Sequence, residues 1–222
     1  MIEKLLIANW KMNKNHLEGL SLVKQITNKI KNKKDKKYII LPSIHSALFI
    51  KESLNKKGVL FGSQDCSQYT KGAFTGDVSA EMVKKIGCKY VLIGHSERRI
   101  NYNENNNALY NKIKIALNNN LKVIYCVGES HIDYKRKKGN LKLSNQISGV
   151  FDKKMDLENI IIAYEPIWAI GSNKTPKMDE ISNTHQFIKK FFKKKYNFEN
   201  IPVVYGGSVN SRNSKSIFSL KS

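Results

Sequence analysis

The sequence predicts an α/β fold in which helices cover a parallel sheet, and three observations support this prediction. Short apolar runs rich in β-branched residues recur at intervals of roughly 20 to 40 residues, and their near-continuous apolarity is typical of strands buried on both faces. Charged segments with helical spacing separate the runs. The composition does not change along the chain, so we expect a single domain spanning residues 1–222.

The apolar runs predict seven strands, and the segments between them predict helices. The strands are Leu5–Ala8, Tyr38–Leu41, Val59–Gly62, Tyr90–Ile93, Lys122–Val127, Ile160–Tyr164 and Pro202–Tyr205. In the first connecting segment the apolar residues Leu17, Leu20, Val23, Ile26 and Ile30 follow each other at helical steps. The segment 182–195 repeats this pattern. Seven strand–helix units favour a barrel, and an open doubly wound sheet is the alternative.

Polar residues follow the strands directly, at the point where each strand ends. The polar segments are Asn9–Lys11, Gln64–Asp65, Gly94–Glu97, Gly128–Glu129, Glu165–Pro166 and Gly206–Ser208. Barrels and open α/β sheets alike bind ligands at the carboxyl ends of their strands. The motifs of nucleotide-binding loops, zinc proteases and serine hydrolases are absent from the sequence. The pattern therefore favours an enzyme of another kind.

The formal net charge of +21 raises nucleic-acid binding as an alternative function. However, only four of the 39 basic residues are arginine, the preferred reader of bases, and the lysines are spread along the chain among asparagines. We interpret the charge as compositional drift expressed on solvated helix faces and expect no nucleic-acid partner. The positive field would still attract an anionic substrate.

The sequence also predicts the compartment and the state of the cysteines. No stretch approaches the roughly 18 to 20 apolar residues that span a membrane. The run Leu5–Ala8 is shorter than the apolar region of about 7–15 residues in a signal peptide, so we expect a cytoplasmic protein without membrane partners. The three cysteines are far apart and have no metal-ligand spacing, so we expect small buried side chains.

Four strings identify a family that this sequence resembles. They are Asn9–Asn13 (NWKMN), Gly94–Arg99 (GHSERR), Ala163–Gly171 (AYEPIWAIG) and Tyr205–Val209 (YGGSV), and the shorter matches Gly72–Gly76 and Cys126–Glu129 lie between them. In order and spacing they resemble triosephosphate isomerase, from Ile7 to about Ser219. The resemblance implies a TIM (β/α)8-type barrel. It also implies interconversion of glyceraldehyde 3-phosphate and dihydroxyacetone phosphate, a step of glycolysis and gluconeogenesis.

The resemblance also implies the roles of the catalytic residues. Glu165, fixed at a strand end by the proline that follows, would be the base that moves a proton between adjacent carbons. His95 would polarise the carbonyl group. A helix beginning at Ser96 would favour its neutral ring. Lys11 would supply a cation for the phosphate and the developing oxyanion, and Asn9 would contact the reacting centre.

Further residues are implied in supporting roles. Backbone amides of Gly171 and Ser208 would hold the phosphate, and Glu97 would contact the lysine and the substrate region. The segment Pro166–Pro176 resembles a lid that closes over the substrate. The family is dimeric, and a loop matching Gln68–Ser79 would insert Thr75 into the partner. Neither a metal nor an organic cofactor is expected.

One feature of the family has no counterpart in this sequence. The family's eighth strand, with its Gly-Gly phosphate clamp, and its last helix are not found in the 222 residues, so we expect a barrel lacking the last strand–helix unit. This leaves a second functional interpretation open. The chain would then be a degenerate, C-terminally truncated relative that keeps the catalytic strings but has little activity.

Overall fold

A computed structural model describes residues 4–30, 36–55, 58–171 and 175–220. Within these ranges lie seven strands: β1 (Lys4–Asn9), β2 (Lys36–Leu41), β3 (Leu60–Ser63), β4 (Tyr90–Ile93), β5 (Lys122–Val127), β6 (Ile160–Tyr164) and β7 (Val203–Tyr205). They follow one another in chain order in one sheet, and the pairs β1–β2, β2–β3, β3–β4 and β6–β7 are parallel. All seven predicted strands are therefore present, with ends shifted by two residues at most.

Nine α-helices connect the strands in the described part of the chain. They are α1 (His16–Lys29), α2 (Ile44–Asn55), α3 (Ala80–Ile86), α4 (Ser96–Asn101), α5 (Asn106–Asn118), α6 (His131–Lys135), α7 (Gly139–Ser148), α8 (Met178–Tyr196) and α9 (Ser214–Ser219). A doubly wound sheet would reverse its strand order at a switch point, whereas this order runs from β1 to β7 without reversal. The predicted TIM-barrel class, with one strand–helix unit fewer, is confirmed. No described helix has the length and apolarity that crossing a membrane requires.

The chain divides into two compact units, and the first comprises residues 1–93 and 114–123. Its β1 and β2 pair in register from Lys4 opposite Lys36 to Asn9 opposite Leu41. Helix α1 begins with a capping box, in which the Asn15 side chain accepts from the Glu18 amide and the Glu18 carboxylate accepts from the Asn15 amide. These reciprocal bonds satisfy two amides that the first helical turn leaves unpaired, which fixes where α1 begins.

The second unit comprises residues 94–113 and 124–222. Strand β6 is buried along its whole length, as its apolar sequence predicts. In the same unit, Phe151 packs edge-on against Tyr125 and Phe192, with ring centroids 5.1 and 5.6 Å apart. Such edge-to-face pairs contribute about 0.5–1.5 kcal/mol each beyond the burial of their area. The aromatic cluster therefore stabilises the core of the second unit.

A buried ion cluster joins α4 to α5 in the second unit. Glu104 Oε1 lies 2.6 Å from Lys112 Nζ and 2.7 Å from Arg98 Nε, and the side chains of Glu104 and Lys112 are each 7% exposed. Burial raises the pKa of the Glu104 carboxyl, but the hydrogen bonds and charges of Lys112 and Arg98 outweigh burial and hold the pKa below its ordinary value. The charged carboxylate is thus favoured by folding.

We expect Lys112→Met to lower the free energy of unfolding by about 2 to 3 kcal/mol at pH 7, because a buried carboxylate loses a charged donor. Lys193→Met is the matched control, since its pair with Glu199 is more than 60% exposed on both sides and should contribute little to stability. Urea unfolding measures both values. Because the folded pKa of Glu104 is depressed, its contribution is present above the unfolded pKa and is lost as the pH falls through the folded pKa. Equal losses in the two variants would contradict this account.

Candidate active site

His95 stands at the N-terminus of α4, and its ring is held by the helix itself. The residue is the N-cap of α4, and its Nδ1 accepts a hydrogen bond from the Glu97 amide at 3.2 Å. A nitrogen that accepts from a backbone N–H carries no proton, so in the neutral ring the proton lies on Nε2. The Glu97 carboxylate lies 3.6 Å from the same Nδ1. Helix α4 begins at Ser96, where the sequence predicted a helix start.

Glu165 lies beside this ring in the second unit. Its Oε1 is 3.5 Å from His95 Nε2, and each residue is only 6% exposed. The Glu165 amide donates to the Val127 carbonyl at 2.7 Å, which fixes the residue just after β6. Gly128 lies against the Glu165 carbonyl so closely that an added Cβ would overlap the carbonyl oxygen. Only glycine fits there, and the backbone that carries the carboxylate is therefore tightly placed.

The Cys126 thiol is a third member of this cluster. Its Sγ donates to Glu165 Oε1 at 3.3 Å. Burial, and next the neighbouring Glu165 carboxylate, raise the pKa of the Cys126 thiol well above its usual range. The thiol is therefore a neutral hydrogen-bond donor to the carboxylate. Sequence analysis matched Cys126 as part of a string and assigned it no role.

Glu129 organises the residues that follow Glu165. Its Oε1 accepts from Trp168 Nε1 at 2.9 Å and from the Tyr164 hydroxyl at 3.1 Å. Burial raises the pKa of the Glu129 carboxyl, although these two bonds oppose the shift. The Tyr134 ring packs against Trp168 at a tilt of 36°, with centroids 4.6 Å apart. Glu129 thus holds the start of the predicted lid, a role the sequence signalled only by a glutamate directly after a buried strand.

The residues predicted to bind phosphate through their amides also lie in this unit. Gly171 is exposed and has a φ of 65°, a left-handed conformation that glycine adopts readily. The Ser208 hydroxyl donates to the Ala169 carbonyl at 2.6 Å, so the loop after β7 contacts the start of the predicted lid. Residues 172–174 of that lid lie outside the described residues.

Asn9 and Lys11 come together in the first unit. The Lys11 amide donates to Asn9 Oδ1 at 2.9 Å, and Lys11 has a φ of 53°. Such a conformation is uncommon for a residue other than glycine. The Gln64 amide group donates to the Lys11 and Leu41 carbonyls at 2.9 and 2.8 Å, which holds the strained turn. Gln64 was noted in the sequence only as a polar residue after a strand.

Thr75 lies in an exposed loop of the same unit. Near it, Tyr69 and Phe74 stack with ring centroids 3.8 Å apart, although both are about 40% exposed. The Ser67 hydroxyl closes the loop by donating to Asp77 at 2.5 Å. The loop is thus held by its own contacts. Among the described residues, no group of three or more histidine, cysteine or acidic side chains could hold a metal ion.

Comparison with known proteins gives a consistent result. A family model for "Triosephosphate isomerase" matches residues 4–222. A curated protein of that name from Phocaeicola vulgatus is 38% identical over 98% of this chain and 89% of its own length. Proteins of the same name from Porphyromonas gingivalis and Mycoplasma mobile are each 37% identical, over 99% and 100% of this chain and 90% and 91% of their own lengths.

The burial of the thiols gives a direct test of the core around the site. All three cysteines are free and buried, and burial raises the pKa of Cys88 to about 12. We expect Ellman's reagent to modify none of them in the native protein at pH 8 within minutes, and all three in urea, because thiolates react and buried thiols do not ionise. Cys126→Ala should reduce the count in urea by one. A thiol that reacts rapidly in the native protein would show that the site is more open than this structure.

Proposed function

Since the chain belongs to the triosephosphate isomerase family, whose members are isomerases, we propose that it interconverts D-glyceraldehyde 3-phosphate and dihydroxyacetone phosphate through an enediolate. The observation that carries the proposal is the buried pair of Glu165 Oε1 and His95 Nε2, 3.5 Å apart. A carboxylate and an imidazole at this separation can act on one small substrate. One would exchange a proton at carbon while the other serves the neighbouring oxygen.

Glu165 is the proposed base. It would take a proton from the carbon next to the carbonyl group, which leaves an enediolate, and return the proton to the adjacent carbon. The overall change moves hydrogen within the substrate and needs no oxidant or reductant. The hydrogen bond from Cys126 to Oε1 and the tight backbone around Gly128 hold the carboxylate in one place. Placement of this kind is worth several orders of magnitude in rate.

His95 is the proposed electrophile and proton shuttle. Because Nδ1 accepts from the Glu97 amide, the N–H of a neutral ring lies at Nε2, on the side of Glu165. That N–H would donate to the substrate carbonyl oxygen and stabilise the negative charge that develops there. The imidazole would then pass its proton between the two substrate oxygens.

Lys11 and Asn9 are proposed to complete the site with a cation and an amide. The left-handed backbone of Lys11, bonded to Asn9 and Gln64, gives the side chain a fixed starting point. Its ammonium group would pair with the phosphate and the developing oxyanion. Gly171 and Ser208 would bind the phosphate through their amides, and Glu97 would contact the lysine. Closure of Pro166–Pro176 would exclude water from the enediolate.

Beyond the site, we propose one domain spanning residues 1–222, a homodimer, and a cytoplasmic role in glycolysis and gluconeogenesis without metal or cofactor. The Tyr69 and Phe74 rings beside Thr75 support an interface, because they stack into one exposed aromatic patch that a partner subunit could cover. The net charge of +21 would speed the capture of anionic triose phosphates.

We expect Glu165→Asp to lower kcat by about 100-fold or more while the protein stays folded, because the carboxylate retreats by one methylene. Glu165→Gln should abolish turnover. A coupled assay of glyceraldehyde 3-phosphate conversion measures both, and Glu199→Gln, which removes an exposed pair with Lys193, is the control. Normal turnover in Glu165→Gln would remove Glu165 from the role of base. An inactive, folded wild type would support the degenerate relative instead.

The interface is tested separately. We expect Thr75→Arg to shift a monomer–dimer equilibrium toward monomer by on the order of tenfold or more, because each inserted loop would bury a larger, charged side chain in the partner where a small one fitted. Sedimentation equilibrium measures the shift, and Asn107→Arg adds the same charge at an exposed position on α5. If the dimers of the Thr75→Arg and Asn107→Arg variants dissociate equally, the loop 68–79 does not form the interface.

A further inference from the structure

Arg99 lies in the last turn of α4, and its guanidinium group reaches three oxygens. Nε donates to the Gly94 carbonyl at 2.8 Å. Nη2 donates to the Tyr125 hydroxyl at 2.9 Å and to the Cys126 carbonyl at 3.0 Å. All three acceptors are neutral, and no ion pair of Arg99 is found in the described part of the chain. The Arg99 guanidinium group therefore acts as a rigid set of hydrogen-bond donors to neutral oxygens and not as the partner of a carboxylate.

The first contact acts on the backbone that carries His95. Gly94 precedes His95 and has a φ of 76°, a conformation that disfavours any side chain. A Cβ on Gly94 would come within 2.9 Å of Arg99 Nη2 and 3.1 Å of the Tyr125 ring. The guanidinium group thus packs against the turn and also bonds its carbonyl. Both contacts fix the direction in which the chain enters His95.

The other contacts act on the strand beside Glu165. Cys126, whose carbonyl accepts from Arg99, donates its thiol to Glu165 Oε1. Tyr125 extends the hydrogen-bond network of Arg99, because its hydroxyl donates to the Gln146 carbonyl at 2.9 Å. The Gln146 side chain in turn exchanges two hydrogen bonds with the Gly128 backbone, at 2.9 and 3.1 Å. Gly128 is the residue that packs on the Glu165 carbonyl.

We infer that Arg99 is a positioning residue, which sets the separation between His95 Nε2 and Glu165 Oε1 by bonding the Gly94 and Cys126 carbonyls with one rigid group. The inference rests on the proposed function, in which those two atoms act on one substrate. The hydrogen bonds of Arg99 go to Gly94, Tyr125 and Cys126 and not to the side chains of His95 or Glu165. A lysine cannot replace it, because an ammonium group is a single point and cannot span carbonyls on two elements.

The test compares Arg99→Met with Arg98→Met, its neighbour on the same helix. Arg98 bonds the Glu104 carboxylate in the ion cluster between α4 and α5, so its loss should affect stability alone. We expect Arg99→Met to lower kcat by about 10- to 100-fold and to change KM less than about threefold, since proton transfer depends on sub-ångström placement and phosphate binding does not. Arg98→Met should keep kcat within about twofold.

A second readout does not depend on activity. The imidazole nitrogens of the five histidines are observed by ¹⁵N NMR, and His95→Gln identifies the signals of His95. We expect these signals to shift or broaden in Arg99→Met and to stay in place in Arg98→Met. If Arg99→Met does not fold, Tyr125→Phe removes one acceptor of Arg99 and keeps the ring in the core. It should lower kcat several-fold and move the same signals.

The outcomes separate the two proposals. A folded Arg99→Met with kcat within about twofold of wild type and unmoved His95 signals would overturn the positioning role. Equal losses of kcat in the Arg98 and Arg99 variants would also overturn it, since they would reflect stability alone. Wild-type kcat in Arg99→Lys would contradict the need for a planar group that spans two carbonyls. An inactive wild type would overturn the proposed function, and the His95 signals would then still decide whether Arg99 positions the ring.

Discussion

The hydrogen bond from the Glu97 amide to His95 Nδ1 is the interaction on which the candidate site depends. It joins the start of a helix to the ring that faces Glu165, and it decides which ring nitrogen can carry the proton. If Nδ1 were protonated, this bond could not form, and the first turn of α4 would lose the partner of a partly buried amide. The backbone of α4 thus determines which nitrogen of the neutral His95 ring carries the proton.

The second requirement is to keep a carboxylate buried beside that ring. A charged group away from water is costly unless hydrogen bonds compensate it. At Glu165 the compensation comes from Cys126, whose buried thiol cannot itself become a competing anion because its pKa is raised far above neutral pH. The buried Glu129 carboxylate is compensated in a similar way, by hydrogen bonds from Trp168 and Tyr164. Glu129 and Glu165 are therefore bonded by different kinds of donor, and of these two carboxylates Glu165 is the one beside the imidazole.

Much of this architecture follows from local sequence, and the rest does not. Strand positions were predictable because β-branched apolar runs end at polar residues, and the start of α4 was predictable from Ser96 and Glu97 after a strand. The contacts of Cys126, Gln146 and Arg99 were not predictable, because each joins residues about 20 to 40 positions apart through side chains that have other common uses. A cysteine is usually a core residue and an arginine is usually a surface residue, so neither type signals a positioning contact by itself.

The order of the strands places the proposed base and a proposed phosphate donor after different strands. Glu165 follows β6, which is buried along its length and has β5 and β7 as its neighbours in the sheet. Ser208 follows β7, the last strand in that order, whose three residues are only partly buried. A strand with two neighbours is held by two ladders of hydrogen bonds, and a strand at an edge is held by one. The proposed base is therefore placed by the stiffer part of the second unit, whereas Ser208, one of the two proposed amide donors to phosphate, follows the strand at its more exposed edge. Changes at that edge should act first on substrate affinity, and the geometry between His95 and Glu165 should be the last part of the site to change.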